Sequence, residues 1–267
     1  MNEITALIRY KDSAKTLPDV LTGLKKQRQP VDCILAVDTG SRDGSTRILE
    51  DAGAQIVRWE EPYHHSKVLN FGLSRCATPY VLLLSSHTVM NEDSTVKRLY
   101  QSLDDPDVAA CSICWDDDTY YSNAIDQAEI TEKGVKFGSI YTNSLGLIRR
   151  ARWVDYPFEE SINGVEDYEW ALHQIQAGHS VTRIKADISY QRSAHNRVFR
   201  ATARVFYIAN RHGLAVKWFG RKATTVELLR HLVGKLQGEP EAVETFDHHA
   251  RRLGGSLFWR FTNLNIN

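Results

Sequence analysis

The run Cys33-Ile34-Leu35-Ala36-Val37 stops at Asp38, passes through Thr39-Gly40-Ser41-Arg42-Asp43-Gly44-Ser45, and is followed by helical spacing. A short apolar run closed by turn residues reads as a strand, and Ser41 or Asp43 can cap the helix that follows, to about Ala52. The same grammar recurs through the first half of the chain. Strands are expected at residues 4–8, 33–37, 55–59, 80–84 and 108–115, with helices between them. Leu17, Val20, Leu21 and Leu24 share one helix face, and Pro18 is tolerated in a first turn. Further helices are expected at residues 66–76 and about 94–103. A less regular stretch to Gly164, a helix at 167–177 and a strand at 181–184 complete the pattern. Alternating strands and helices define an α/β domain with a mostly parallel sheet.

Composition sets the outer limits. The 267 residues, 42% hydrophobic and 25% charged, suffice for one α/β domain plus an extension. We place the boundary at 1–191 and 192–267, the second part reading as helical. No apolar run approaches the roughly 18 to 20 residues of a membrane span, and Glu3, Arg9 and Lys11 come too early for a signal peptide, so a cytoplasmic location is expected. Cys111 and Cys114 form a lone C-x-x-C with no second pair, and on a strand that spacing sends the two thiols to opposite faces. Net charge is zero, yet residues 192–222 carry 8 Lys/Arg and no acid. With Phe199, Phe206, Tyr207, Trp218 and Phe219 interleaved, that segment suits anionic lipid or a diphosphate, and equally a solvated helical face packed on the main domain. Nothing points to nucleic acid.

Ligands of open parallel sheets gather at the carboxyl ends of the strands. Asp38 stands at such an end and can accept hydrogen bonds from a base or ribose, or simply order its own turn. Arg9, just past the first strand, and Lys67, early in a helix, are cations suited to a diphosphate, although a lone Lys is more often a solvated surface residue. Glu166-Asp167 opens a helix after Gly164. An ionised carboxylate there can take a proton from an attacking hydroxyl, or can merely favour the helix dipole.

Five ordered blocks carry a resemblance. They are Ile8-Arg9-Tyr10-Lys11-Asp12, Val37-Asp38 through Ser45, His65-Ser66-Lys67-Val68-Leu69-Asn70-Phe71-Gly72, Ser85-Ser86-His87, and Gly164-Val165-Glu166-Asp167-Tyr168-Glu169-Trp170. Together they resemble family 2 glycosyltransferases of the GT-A fold, nearest a branch that includes rhamnosyltransferase-like enzymes, with Asp12 where that branch has Asn. The resemblance implies a Rossmann-like, mostly parallel sheet flanked by helices, with a C-terminal helical extension. It implies a nucleoside-diphosphate sugar donor and transfer with inversion to a saccharide or lipid-linked acceptor, in surface polysaccharide or glycolipid synthesis, with a location at the inner membrane face allowed by residues 192–222. By it, Asp167 is the catalytic base and Glu166 its helper, while Arg9, Asp12, Asp38, Lys67 and Ser86 line the nucleotide pocket.

The family usually places an acidic motif after the fourth strand to hold Mn or Mg. Here the position reads Ser85-Ser86-His87. Three readings stay open: His87, with His195, replaces the carboxylate as metal ligand; Arg9, Lys67 and the cationic segment neutralise the diphosphate without an ion; or the chain is a nucleotide-binding pseudoenzyme or scaffold. Imidazole suits Mn better than Mg. Asp116-Asp117-Asp118 follows the wrong strand for this role. His64, beside His65, and the late pair His248-His249 lack carboxylate or Cys partners at metal-site spacing and read as surface residues. A sugar-phosphate nucleotidyltransferase would need a Gly-rich loop after the first strand, and residues 8–13 contain no Gly.

Overall fold

A computed structural model of the chain describes residues 3–114, 119–134, 140–190, 208 and 211–213. His195, Asp116-Asp117-Asp118, His248-His249 and nearly all of the expected extension, the cationic segment included, lie outside the described residues. Of the two compact units, the first comprises residues 1–127 and 138–192. It begins β1 (Ile4–Tyr10), α1 (Leu17–Lys25), β2 (Cys33–Asp38), α2 (Ser45–Asp51), β3 (Gln55–Arg58), α3 (His65–Leu73) and β4 (Tyr80–Ser85). It continues with β5 (Thr88–Met90), α4 (Thr95–Gln101), β6 (Val108–Ile113) and β7 (Ala124–Ile125). After α5 (Gln127–Lys133) come β8 (Leu145–Arg149), α6 (Arg150–Asp155), α7 (Glu166–Gln176), β9 (Ser180–Ile184) and β10 (Ile188–Tyr190).

Eight strands form one sheet in the order β3-β2-β1-β4-β8-β6-β9-β7, and β10 pairs with β5 in a separate ribbon. β3, β2, β1 and β4 run parallel, and the order reverses at β1. Tyr10 stands opposite Asp38 and Arg9 opposite Ser85, so the ends of β1, β2 and β4 meet at the switch point where such sheets bind ligands. The core is continuous across these strands: Ile4, Ala6, Ile8, Ala36, Leu82 and Leu84 are buried among helix residues such as Leu17, Val20 and Leu49. Each of the buried Ile, Leu and Val side chains contributes roughly 1.5–3 kcal/mol of transfer free energy.

α3 lies close on the sheet because residue 72 is Gly. A Cβ there would sit 2.7 Å from Leu7 Cδ1 and 3.1 Å from Val37 Cγ2, so a side chain would require the Leu7 side chain or the helix to shift. That contact fixes the height at which His65 and Lys67, one to two turns earlier, stand beside the strand ends.

Three expectations need correction. The stretch expected to be irregular contains β8, which inserts antiparallel between β4 and β6 in the middle of the sheet. Its apolar run, Leu145-Gly146-Leu147-Ile148, is too short to declare itself, and a Gly inside it weakens the strand signal. Helix α3 ends at Leu73, short of residue 76. Ser41 caps no helix: the N-cap of α2 is Gly44, and the nearest carboxylate, Asp43, accepts the Ser45 amide at 2.9 Å. All four cysteines are free thiols, with Cys111 buried in β6 and Cys114 beyond its end.

In the second unit, most of α5 is described. Lys133 donates to Glu129 at 2.7 Å one turn back, and Ile130 is buried. Among the described residues no helix is long and apolar enough to cross a membrane.

Candidate active site

Two clusters meet at the end of β1. The first is a clasp of hydrogen bonds, many of them from amides to carboxylates, joining the loops after β1, β2 and β4. Asp38, almost fully buried, accepts the amides of Gly40 at 3.1 Å and Ser41 at 2.8 Å on Oδ1, with the Thr46 hydroxyl 3.5 Å from Oδ2. Gly40 has φ of 96°, which an L side chain would resist. Asp12 and the β2 turn exchange bonds: the Asp12 amide donates to Ser41 Oγ at 3.2 Å, and Asp12 Oδ1 accepts the Arg42 amide at 2.7 Å. Asp43 Oδ2 accepts the Ala14 amide at 2.9 Å, and the Ser13 amide donates to Ser45 Oγ at 2.7 Å. Although burial opposes it, the Ser45 hydroxyl and the amides of Ala14 and Ser45 hold the Asp43 carboxyl below its ordinary range. Ser86 joins from β4, its Oγ 3.0 Å from Ser13 Oγ and its carbonyl accepting Thr16 Oγ1 at 2.5 Å. Ser86 and His87 form the tight turn between β4 and β5, with His87 Nδ1 3.5 Å from Thr16 Oγ1.

The second cluster is built of charges, where the first turns of α3 and α7 converge on Arg9. The His65 amide donates to Asn163 Oδ1 at 3.1 Å, and the Ser66 hydroxyl donates to the Ile162 carbonyl at 2.5 Å. Asn70 ties α3 to the segment leading into α7. Its Nδ2 donates to the Phe158 carbonyl at 2.8 Å and to Glu160 at 3.0 Å, while its Oδ1 accepts the Trp153 indole at 2.9 Å and the Phe158 amide at 3.1 Å. All four bonding positions of the amide are used. Val165, the N-cap of α7, has φ of 62°, a costly conformation for a β-branched residue. Asp12 and Val165 are the two non-glycine residues with positive φ among those described, and both border this site.

Within the cluster, Arg9 Nη1 lies 2.9 Å from His65 Nδ1 and 3.7 Å from Glu166 Oε1. A guanidinium only donates, so in this contact Nδ1 accepts and the ring proton sits on Nε2. Asn143 touches both acids, its amide donating to Asp167 Oδ2 at 3.0 Å and its Nδ2 to Glu166 Oε1 at 3.4 Å. Burial works against the Glu166 charge, yet the Arg9 guanidinium and the Asn143 side-chain amide help to hold its carboxyl below the usual value. Asp167 moves the other way. Burial, then the neighbouring Glu166 charge, raise its pKa to about 7, against the amides of Asn143 and Tyr168, which favour the anion.

Of the residues singled out from sequence, Arg9, Glu166 and Asp167 share one corner, and Asp12, Asp38 and Ser86 share the clasp, with β1 joining the two. Lys67 stands half-buried in the first turn of α3 and makes no hydrogen bond or ion pair with the described residues. Asn143, His65 and the scaffolding role of Asn70 went unrecognised. Asn70 sits in one of the quoted blocks, whereas Asn143 carried no sequence signal at all. His64, expected at the surface, is half-buried, as is His65. Among the described residues no group of three His, Cys, Asp or Glu side chains could hold a metal ion. The turn after β4 supplies one imidazole, so those residues alone do not make a metal centre.

The chain belongs to glycosyl transferase family 2, whose family model matches residues 5–153. Its structure is similar to mannosyltransferase PcManGT from Pyrobaculum calidifontis, solved with GDP-Man and Mn2+, with a TM-score of 0.71 and 14% identity over 98% of this chain and 88% of that one. Glucosyl-3-phosphoglycerate synthase from Mycobacterium tuberculosis, solved with Mn2+, UDP and glucosyl-3-phosphoglycerate, gives a TM-score of 0.62 at 13% identity, covering 81% of this chain and 82% of that one. S. aureus TarS gives 0.55 at 15% identity, over 94% of this chain and 55% of TarS. At such identities the likeness establishes the fold, GT-A. Among curated proteins, a TPR repeat-containing protein of Synechococcus elongatus, Synpcc7942_0270, is 26% identical over 113 residues. That match spans 42% of this chain and only 27% of the relative's length.

Proposed function

We propose that the chain transfers a sugar from a nucleoside diphosphate to an acceptor hydroxyl, with inversion, and that Asp167 is the base. The observation that carries this reading is the split pair at the start of α7, Glu166 held ionised against Arg9 and Asp167 raised to about 7. Two adjacent carboxyls whose environments drive them apart divide labour, one kept as a fixed charge and the other left to exchange a proton near neutrality. Asp167 accepts the acceptor's hydroxyl proton as that oxygen attacks the anomeric carbon. The bond from that carbon to the diphosphate oxygen breaks, its electron pair leaves with the diphosphate, and direct displacement inverts the centre. Lys67, a cation without a protein partner among the described residues, faces the developing negative charge.

Asp38 and Asp12 hold the nucleoside. Asp38 uses three of the roughly four acceptor positions of a carboxylate within its own turn, which leaves capacity for one ligand donor. Ser86 shapes the floor between them. Residues 1–191 form the catalytic domain and 192–267 an extension whose basic, aromatic stretch at 192–222 contacts acidic membrane lipid. On this reading the protein works on the cytoplasmic face of a membrane, on saccharide or lipid-linked acceptors, in building surface polysaccharide or glycolipid. The metal-bound relatives motivate a trial of Mn or Mg, but we draw no step through an ion.

The test is a calorimetric screen of UDP, GDP, dTDP, CDP and ADP, followed by release of nucleoside diphosphate from the matching donor sugars. We expect one diphosphate to bind in the micromolar range and its sugar conjugate to be turned over. Absence of binding by every member would overturn the reading.

A further inference from the structure

We propose that Asn143 is a positioning residue of the acid pair: its side-chain amide, acting with Arg9, fixes Glu166 as the standing anion, so that the proton of the acceptor hydroxyl goes to Asp167. This rests on the transferase reading and adds to it the residue that assigns the two roles.

The chain on either side of Asn143 is tied down. The Ser85 amide, at the end of β4, donates to the Ser144 carbonyl at 2.9 Å, and the Thr142 amide donates to Ser112 Oγ in β6 at 3.2 Å. The Tyr141 ring tilts against Trp170 of α7, centroids 5.9 Å apart. The segment is thus held to the sheet on one side and to α7 on the other, which sets the Asn143 main chain. That main chain supplies the amide that Asp167 Oδ2 accepts at 3.0 Å, whereas the side chain supplies Nδ2, 3.4 Å from Glu166 Oε1. The same Oε1 faces Arg9 Nη1 at 3.7 Å. Glu166 therefore draws on a cation and a side-chain donor, and Asp167 on the main-chain amides of Asn143 and Tyr168.

The other half of the Asn143 amide argues against a role in packing. The residue is only 4% exposed, and its Oδ1 is buried without a hydrogen-bond partner among the described residues. A buried acceptor left unpaired costs stability. Turning the amide over would not cure this, because the oxygen would then face a carboxylate, which only accepts. An apolar side chain would fill the site without that cost, so what distinguishes asparagine here is the donor it gives Glu166. The other groups around the pair give Glu166 no such donor. His65 Nδ1 accepts from Arg9, and burial, then the Asp167 charge, push the Tyr141 phenol well above its ordinary value and keep it neutral. Burial opposes the Glu166 charge, and a hydrogen bond to the carboxylate favours the anion.

The test uses the full chain carrying carbon-13 at the side-chain carboxyls of Asp and Glu, titrated by NMR, with Glu166→Gln and Asp167→Asn to identify the two signals. Asn143→Ala keeps the main-chain amide on Asp167 and removes the Glu166 donor. It should raise the Glu166 midpoint by about half to one pH unit and move the Asp167 midpoint less. Asn143→Asp sets a third carboxylate beside the pair and should raise the upper midpoint, about 7 in the unmodified chain, by about one unit or more. Should Asn143→Asp not fold, Asn143→Ala carries the test. In turnover, Asn143→Ala should lower kcat about two- to tenfold and leave nucleotide affinity within about twofold. Its melting temperature should fall by no more than about 3 °C, since the unpaired Oδ1 is removed together with the donor. A Glu166 midpoint that stays in place, an undiminished kcat, or a larger fall in melting temperature, which would make Asn143 a structural residue, each overturns the proposal. An unmodified chain that binds no nucleoside diphosphate overturns the transferase reading instead, and the titration still decides whether Asn143 divides the pair.

Discussion

The clasp and the charged corner both rest on the end of β1 and both use carboxylates, yet they treat them in opposite ways. In the clasp, Asp12, Asp38 and Asp43 are each met by backbone amides, and the Asp43 carboxyl is held below its ordinary range. Amides approaching an ionised carboxylate fix both the anion and the loop that donates. In the corner, Glu166 and Asp167 are buried against each other and Arg9, and one is driven down and the other up. Asp167 also receives two amides, so burial beside a second carboxylate, not donor supply, decides between a rigid strut and a proton acceptor. A binding surface calls for the first and an acid–base step for the second.

The largest expected effect breaks the corner alone. Asp167→Asn should lower kcat by about a hundredfold or more while leaving nucleotide affinity within about twofold. Steady-state kinetics with calorimetry checks both, and undiminished turnover would return Asp167 to a structural role. The same variant reads the pKa through stability. The folded-state value lies above the unfolded one, so the Asp167 contribution is complete below about pH 4 and is lost as pH rises through about 7. The melting temperature of Asp167→Asn, relative to the unmodified chain, should therefore climb between pH 4 and 7 and level off above. A flat difference would mean that the carboxyl is unshifted.

Next in size is Asp38→Ala in the clasp. It strands the Gly40 and Ser41 amides, which costs about 1–3 kcal/mol of stability, and nucleotide affinity should fall roughly tenfold with a much smaller change in kcat. Asp38→Asn keeps an acceptor oxygen and should recover most of the stability. If Asp38→Ala reduced kcat as strongly as Asp167→Asn, the two regions would not be divided as the geometry suggests. A smaller, sharper effect comes from Glu166→Gln. With the neighbouring charge removed, the Asp167 pKa should fall, and the acid limb of kcat/KM, expected near 7 in the unmodified chain, should move to lower pH. A limb that stays in place would assign it to another group.

The clasp was far more legible in the sequence than the corner. Its members fall within a few residues of strand ends, and the Gly, Ser and Asp spacing after β2 marks a turn whether or not a ligand is present. Even so, the sequence left the helix cap between Ser41 and Asp43, because turn side chains compete for the same few amides and only the fold decides the winners. Sequence exposed the two acids of the corner but not what separates them. Asn143 and Glu166 are joined across 23 residues, and Arg9 meets His65 across 56. Such partners depend on β8 entering the middle of the sheet and on Asn70 tethering the approach to α7, and neither leaves a local periodicity. The four parallel strands themselves, though not their order in the sheet, were legible for the opposite reason: each βαβ step writes its own pattern before the chain turns back.

The smallest expected effect concerns His87, at the rim of the clasp. Its Nδ1 leans toward Thr16, and the neighbouring Ser86 oxygens are already bonded to Ser13 and Thr16, so the turn after β4 offers an ion one imidazole and no carboxylate. One neutral nitrogen, even with diphosphate oxygens, is a weak basis for holding Mn and weaker for Mg, which favours oxygen ligands. Adding Mn to chelated protein should therefore change nucleoside diphosphate affinity by less than about threefold, and His87→Ala should leave that change intact. A gain of tenfold or more that disappears in His87→Ala would make the imidazole a ligand. The rim of the clasp would then take part in charge neutralisation as the corner does, and the division between amide-fixed and charge-coupled groups would hold only for the ends of β1 and β2.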